Sequence, residues 1–279
     1  MRGEINYGII GVGSMGEPIL QSMLNSGISK DRINFSTATL ETRNRISAEY
    51  QITPLDNEDL VKKCDVIILA TKPQGANELL NNLAEDFIDS TLLISVLAGK
   101  RTSFFEDILP KNVRVIRVMP NTPMQVGKGV VAVSPGLTAT TSDLEIVRNI
   151  FSPSAIVIEI EEVLQDLVAA VSGSGPAFFY AITESLANAA IAKGLEPELA
   201  NKLAIATIIG SGKLLEFSGK TPAELRDQVT SPGGMTAAGL KVFAEENLTG
   251  LMELVLEAAR KRSDRKSTRL NSSHTDISR

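Results

Sequence analysis

Histidine is almost missing from this chain: its single copy, His274, stands in the last few residues. Any mechanism that needs a buried imidazole as acid, base or metal ligand is thereby nearly excluded, and there is no Cys and His cluster to hold zinc. Tryptophan is absent, and cysteine occurs once, as Cys64. One cysteine closes no intrachain disulfide and fits a reducing compartment, so a cytoplasmic location is expected. In "KKCDVIILA" it reads as a small residue at the entrance to a strand. No uninterrupted apolar run reaches the ~18 residues that span a bilayer. The start, "MRGEINYGIIG", runs straight into a strand with no room for a signal peptide, so no membrane partner is expected. A net charge of −5 leaves no basic excess to replace counterions on a nucleic-acid backbone, so none is expected there either.

Apolar residues, at 43% of 279, are ample for one large domain or two of ordinary size. The first part alternates β-branched runs with helical patterns. Strands are expected at "INYGII", "INFS", "DVIILA", "LLISVLA", "VRVIRV", "GVVAVS" and "AIVIEI". Helices are expected between them, at Met15 to Asn25, Glu41 to Glu49 and Gln74 to Asp86. Strands that are apolar throughout, without alternation, suit a parallel sheet covered on both faces, and helix-length spacers imply right-handed crossovers. This part is α/β.

After about residue 163 the strand signals stop. The pattern predicts an α/β domain over 1–163, an all-helical domain over 164–262, and a tail over 263–279. "TPAE" (Thr221, Pro222, Glu224) is a capping box with proline at the first helical position, and Gly175–Pro176 opens another helix. Two helical stretches, "PAFFYAITESLANAAIAKG" and "LAIATIIGSG", carry almost no charge. A helix apolar all round must be buried on all sides, and about 100 residues struggle to enclose two of them. A second copy of the chain would do so, which predicts an intertwined helical homodimer. The tail, "RKSTRLNSSHTDISR", has no periodicity and few apolar residues; it reads as disordered or foreign to the fold, and His274 goes with it.

"YGIIGVGSMGEPIL" sets Gly11-x-Gly13-x-x-Gly16 directly after a strand and at the opening of a helix. The first glycine makes the tight turn, the second lets the backbone approach a pyrophosphate, and the third lets helix and strand pack closely. In this setting the motif predicts a dinucleotide site. Folds that bind NAD usually carry an acidic residue about 20 positions further on. Here that count lands on Ser36, in "INFSTATLETR". With no carboxylate to repel a 2′-phosphate, and with Ser36, Thr37, Thr39 and Arg43 available to it, NADPH is favoured; Glu41 leaves NADH possible. Two further loops leave strand ends, "ATKPQ" and "MPNTP". They either wall the nicotinamide ribose, with Lys72 as a cationic donor, or merely end strands at their prolines.

Together, "GIIGVGSMG", "DVIILATKPQ", "VRVIRVMPNTP", "SGSGPAFFY" and "ELRDQVTSPGGMTAAGL" resemble the pyrroline-5-carboxylate reductase family, in that order, over roughly residues 5 to 262. The resemblance implies reduction of the cyclic imine 1-pyrroline-5-carboxylate to L-proline with NAD(P)H, the last step of proline biosynthesis. It implies a Rossmann-like, doubly wound domain followed by an all-α dimerisation domain, with dimers often joined into decamers. It places cofactor contacts on Ile10, Gly11, Val12, Gly13, Ser14, Met15, Ser36, Asn57, Ala70, Thr71, Lys72, Pro73, Val96, Leu97 and Ala98. The second threonine of the family's SPGG-T-T run falls on Thr236; the first falls on Met235, a departure.

A hydride adds fastest to a protonated imine, so such a site needs few titratable groups. It needs a donor near nitrogen, donors for the carboxylate, and a fixed distance to the nicotinamide. Ser231, Pro232, Gly233, Gly234 and Met235 open a helix whose exposed N–H groups suit the substrate carboxylate, with the Thr236 hydroxyl for the imine nitrogen. Locally the same residues also read as a plain helix cap. "SGSGPAFFY" is equally open: its amides face the site, or its small residues only let helices pack. Three alternatives compete. A hydroxyacid dehydrogenase of this architecture would need lysine and asparagine where Phe179 and Thr183 stand. A non-catalytic NADPH-binding regulator and a broader imine reductase are the others.

Overall fold

The computed structural model describes residues 5–272, with side chains to residue 263. Residues 1–4, part of the stretch read as leaving no room for a signal peptide, and residues 273–279, with His274, lie outside the described residues. Eight strands form one sheet: β1 (Tyr7–Ile10), β2 (Ile33–Ser36), β3 (Thr53–Pro54), β4 (Val66–Leu69), β5 (Leu92–Ser95), β6 (Arg114–Pro120), β7 (Gly129–Pro135) and β8 (Ala155–Glu159). Their order is β3-β2-β1-β4-β5-β6-β7-β8, so the winding reverses between β1 and β4. Seven strands coincide with the apolar runs of the sequence. β3 does not, because two residues containing a proline carry no strand signal, and proline is tolerated there only because the strand lies at the sheet edge.

β1 to β6 pair in parallel, as the apolar runs predict; β7 pairs antiparallel to β6 and β8 parallel to β7. This corrects the expectation of a wholly parallel sheet. The link at residues 121–128 holds one 3-10 turn, and a parallel crossover needs a dozen or more residues, so the chain must reverse.

The helices among the strands are α1 (Gly16–Asn25), α2 (Leu40–Tyr50), α3 (Asn57–Lys63), α4 (Ala76–Leu83), α5 (Thr102–Glu106) and α6 (Thr141–Phe151). They cover both sheet faces. One core cluster gathers Ile9, Ile19, Phe35, Ile68, Ile94 and Phe151, the other Leu60, Cys64, Ile67, Leu80, Leu93 and Phe105. Cys64 closes α3 just before β4 and is wholly buried; burial pushes its thiol up to about 11. It is the small packing residue its context suggests.

Then come α7 (Gln165–Val168), a π turn (Ala169–Gly173), α8 (Gly175–Ala192), α9 (Pro197–Phe217), α10 (Pro222–Gln228), α11 (Met235–Glu245) and α12 (Leu248–Ser272). Thr221 and Glu224 cap α10 reciprocally, and Pro176 sits in the first turn of α8, both as expected. The chain divides into two compact units, residues 1–173 with 259 onward, and residues 174–258. The division therefore falls ten residues later than the expected boundary at 163. "LQDLVAAV" is helical, but helix type does not decide which core a helix serves. Buried Gln165 donates to Ser134 Oγ at 2.9 Å, and Asp166 pairs with buried Arg117 at 3.3 Å, which binds the segment to the first unit. At the other end Ser263 donates to Asp166 at 2.9 Å, and α12 continues through the expected tail to Ser272. Residues 263–272 lack periodicity, but no glycine or proline stops the helix there. Among the described residues no helix is long and apolar enough to cross a membrane, and no group of three or more His, Cys, Asp or Glu could hold a metal.

Candidate functional site

Each glycine of the turn after β1 has its own reason. Gly11 adopts φ +96°, and a Cβ there would lie 2.9 Å from the Ala70 carbonyl carbon and oxygen, so turn and β4 are in backbone contact. At Gly16 a Cβ would run into the Gly11 carbonyl oxygen, which is why α1 can start on top of the turn. A Cβ at Gly13 would meet nothing within 4 Å. Only this glycine faces open space, the place a phosphate would take. The capping residue of α1, Met15, supplies no side-chain cap. Glu17 in the first turn stays ionised, its carboxyl held below the usual carboxylate range by Arg45, but the Arg45 guanidinium at 2.7 Å offsets its charge and Tyr50 donates to it at 3.0 Å.

The turn opens onto a cleft of about 590 Å³ at the carboxyl ends of β1, β2 and β4, beside the point where strand order reverses. Open α/β sheets bind ligands at such a point. Ile10, Gly11, Val12 and Gly13 line it, with Ser36, Thr37 and Thr39 past β2, Asn57 at the start of α3, and Ala70, Thr71 and Lys72 past β4. Ala38, Thr42, Gly75 and Leu79 line it too, without any motif or spacing that marks them.

Two buried hydroxyls in this cleft, Ser36 Oγ and Thr71 Oγ1, have no hydrogen-bond partner. Buried polar atoms are nearly always paired, so this pair marks where polar atoms of a ligand belong. The residues thus fit a dinucleotide: room at Gly13, unpaired donors at Ser36 and Thr71, and no carboxylate at position 36. Thr39 and Arg43 are less available than expected. The Thr39 hydroxyl caps α2 through Thr42 N–H at 3.2 Å, and Arg43 pairs with Asp56 at 3.2 Å.

Ser14, Met15, Pro73, Val96, Leu97 and Ala98 do not line the cleft. Ser14 and Ala98 are exposed, Met15 and Val96 pack against the first core cluster, and Leu97 belongs to the second. Pro73 opens a 3-10 turn, with exposed Lys72 preceding it. The "MPNTP" loop is also outside the lining. Its Asn121 carboxamide instead donates to the Ser172 carbonyl at 2.9 Å and accepts from Val130 N–H at 2.8 Å.

In the helical unit, Ser231 to Gly234 make a tight turn into α11. Gly233 has φ +71°, while at Gly234, whose N–H donates to the Ser231 carbonyl at 3.0 Å, a Cβ would meet the rotatable Ser231 Oγ and lie 3.1 Å from the Ser231 carbonyl oxygen. Gly233 therefore has a local cause, as in a plain cap. The α11 N-terminus nevertheless has no side-chain cap. Met235 is its first residue, 95% exposed, and the Thr236 hydroxyl beside it is exposed with no protein partner among the described residues. Phe179 and Thr183, where a hydroxyacid dehydrogenase would carry lysine and asparagine, line a hollow of about 530 Å³ between α8 and α9 with Ile205, Ile208 and Ile209.

Residues 162–266 match the family described as pyrroline-5-carboxylate reductase dimerisation, and residues 6–99 match NADP oxidoreductase, coenzyme F420-dependent. A pyrroline-5-carboxylate reductase of Methanosarcina acetivorans is 35% identical over 255 residues, covering 90% of this chain and 94% of the relative. One from Glycine max is 34% identical over 258 residues, covering 92% and 94%. Among solved structures, the Plasmodium falciparum pyrroline carboxylate reductase with NADP bound superposes with a TM-score of 0.83 at 31% identity, covering 94% of this chain and 98% of that one. The Coxiella burnetii pyrroline-5-carboxylate reductase gives 0.88 at 30% identity, with the same coverage. This chain belongs to the pyrroline-5-carboxylate reductase family.

Proposed function

We propose that this protein reduces 1-pyrroline-5-carboxylate to L-proline, using NADPH in preference to NADH, in the cytoplasm. The observation that carries the reading is the cleft in which Gly13 leaves room for a phosphate while Ser36 and Thr71 hold unpaired hydroxyls, in a chain of this family. Ser36 and Thr37 receive the 2′-phosphate. Ile10 to Gly13 hold the pyrophosphate side, and Asn57 and Ala70 to Lys72 the part next to it. Ser14, Met15, Pro73 and Val96 to Ala98, outside that lining, meet the part of the cofactor that extends beyond the cleft. A reduced nicotinamide bound there supplies a hydride to the carbon of the C=N bond.

The other residues bind and orient. The turn Ser231 to Gly234 leads into the uncapped first amides of α11, from Met235 onward, which take the substrate carboxylate where the helix dipole favours an anion. The Thr236 hydroxyl meets the ring nitrogen: it donates to the neutral imine and accepts from the N–H of the iminium, whose positive charge makes the ring electrophilic. No histidine is needed, because the proton comes with the iminium or from water through this hydroxyl. The bare faces of α8 and α9 pair with those of a second copy, forming a homodimer.

Oxidation of NADPH with pyrroline-5-carboxylate, against several hydroxyacids and open-chain imines, tests the reading. Turnover confined to the cyclic imine, with a lower KM for NADPH than for NADH, is expected. Tight NADPH binding without turnover on any member would establish a regulator instead, a case to which Met235, lacking a hydroxyl, lends some weight. Thr236→Ala is expected to lower kcat/KM by ~10–1000-fold, about 1.4–4 kcal/mol for one donor. Unchanged kinetics would remove Thr236 from the site.

A further inference from the structure

The "MPNTP" loop ends β6 at the ligand edge of the sheet, yet it takes no part in the cleft. Its Asn121 is 6% exposed and spends both ends of its carboxamide on backbone: Nδ2 donates to the Ser172 carbonyl at 2.9 Å and Oδ1 accepts from Val130 N–H at 2.8 Å. The orientation is dictated by its partners, since an N–H can only donate and a carbonyl only accept.

The Ser172 carbonyl needs an outside donor for a reason written in the sequence. In a continuing α-helix it would accept from the N–H of residue 176, which is proline and has none. The π alternative, the N–H of Ala177, goes to the Ser174 carbonyl at 3.0 Å. Asn121 fills the vacancy, 51 residues away in sequence. Gly173 next to it leaves room for the Met119 side chain, from the same loop: a Cβ there would lie 3.3 Å from Met119 Cε.

We infer that Asn121 is a positioning residue for imine reduction: its carboxamide, with Pro176 withholding the competing helical donor, pins the Ser172–Gly173 turn to the ligand edge of the sheet, from which the "SGSGP" segment continues. The inference rests on the reductase reading above. Asn121→Asp keeps the acceptor for Val130 N–H and loses only the donor to Ser172, placing a carboxylate oxygen against the carbonyl. Asn121→Ala loses both bonds.

The experiment measures, on the full chain, steady-state kinetics with pyrroline-5-carboxylate, NADPH Kd by fluorescence titration, and Tm. Wild-type turnover tests the reductase reading itself, and an inactive wild type sinks both. With an active wild type, Asn121→Asp is expected to lower kcat/KM for the imine by ~10–100-fold while NADPH Kd stays within about twofold. Asn121→Ala should show the same kinetic loss with the lower Tm of the two. Wild-type kinetics in Asn121→Asp, or a loss matched by an equal loss of NADPH affinity, would overturn the inference while leaving the reductase reading intact.

Discussion

Ile9, Ile68 and Ile94 in the dinucleotide unit are 0% exposed, whereas Phe179, Ile205 and Ile209 in the helical unit stand at 60, 50 and 53%. The helical unit, residues 174–258, buries Gly175, Ala187, Ala200 and Ala204 and nothing larger. Similar side chains thus meet opposite fates within one chain. The dinucleotide unit covers its sheet with its own helices and completes two clusters internally. The helical unit packs α8 on α9 and leaves their outer faces bare, so its core is completed by a surface from elsewhere. Stability in the first region is a property of the chain. In the second it is expected to depend on protein concentration.

Three substitutions probe that contrast, in falling order of effect. Ile205→Glu places a charge on the bare α8–α9 face, where a desolvated unpaired carboxylate costs several kcal/mol. Its dissociation constant is expected to rise by about a thousandfold, roughly 4 kcal/mol, giving a monomer by light scattering. A dimer unaffected by the charge would break the contrast. Ile68→Ala, in the centre of β4, should cost about 3 kcal/mol in chemical denaturation, by an amount independent of protein concentration. A concentration-dependent loss would mean that the first unit, too, leans on a partner.

Lys100 sharpens the comparison at small scale, since the self-sufficient unit encloses a charge. It is 2% exposed, its Nζ lies 3.6 Å from the Phe104 ring centroid, and it has no ion pair among the described residues. Burial lowers its pKa from the ordinary 10.5, so the unfolded chain holds this proton more tightly than the folded one. Stability therefore rises with pH between the lowered value and 10.5. Lys100→Met should stabilise by about 1 kcal/mol at neutral pH, less the lost ring contact. The gain should fade as the pH approaches 10.5, in denaturation curves taken across that range. A gain constant with pH would show that the ammonium carries no burial cost.

Much of the dinucleotide unit was legible because its demands are local. Gly11, Gly13 and Gly16 each answer a backbone requirement a few residues away, and the apolar strands announce a sheet covered on both faces. The reversal at β7 was implicit in the brevity of residues 121–128, but apolar composition alone cannot tell strand direction. The helical character of Gln165 to Ala170 was legible; its allegiance was not, because Arg117 and Ser134 lie far away in sequence. Asn121 was hidden for the same reason, although Pro176 advertised a carbonyl in need of a donor. For the helical unit, charge-free helices correctly suggested incomplete burial. At "SPGG" the reverse happened: Gly233, which looked functional, also has a local cause in its positive φ.

The reversed pair of strands also sets the path of the chain that follows them. Because β8 runs against β1 to β6, it delivers the chain to the far rim of the sheet, and the chain must climb back. The rungs of that climb are visible: Ile160 beside Ser134, Asp166 beside Arg117, Ser172 beside Asn121. Its length, more than its composition, sets which rung meets which. Adding or deleting one residue there would swing everything above it by about 100° and lift it by about 1.5 Å, stripping Ser172 from its carboxamide.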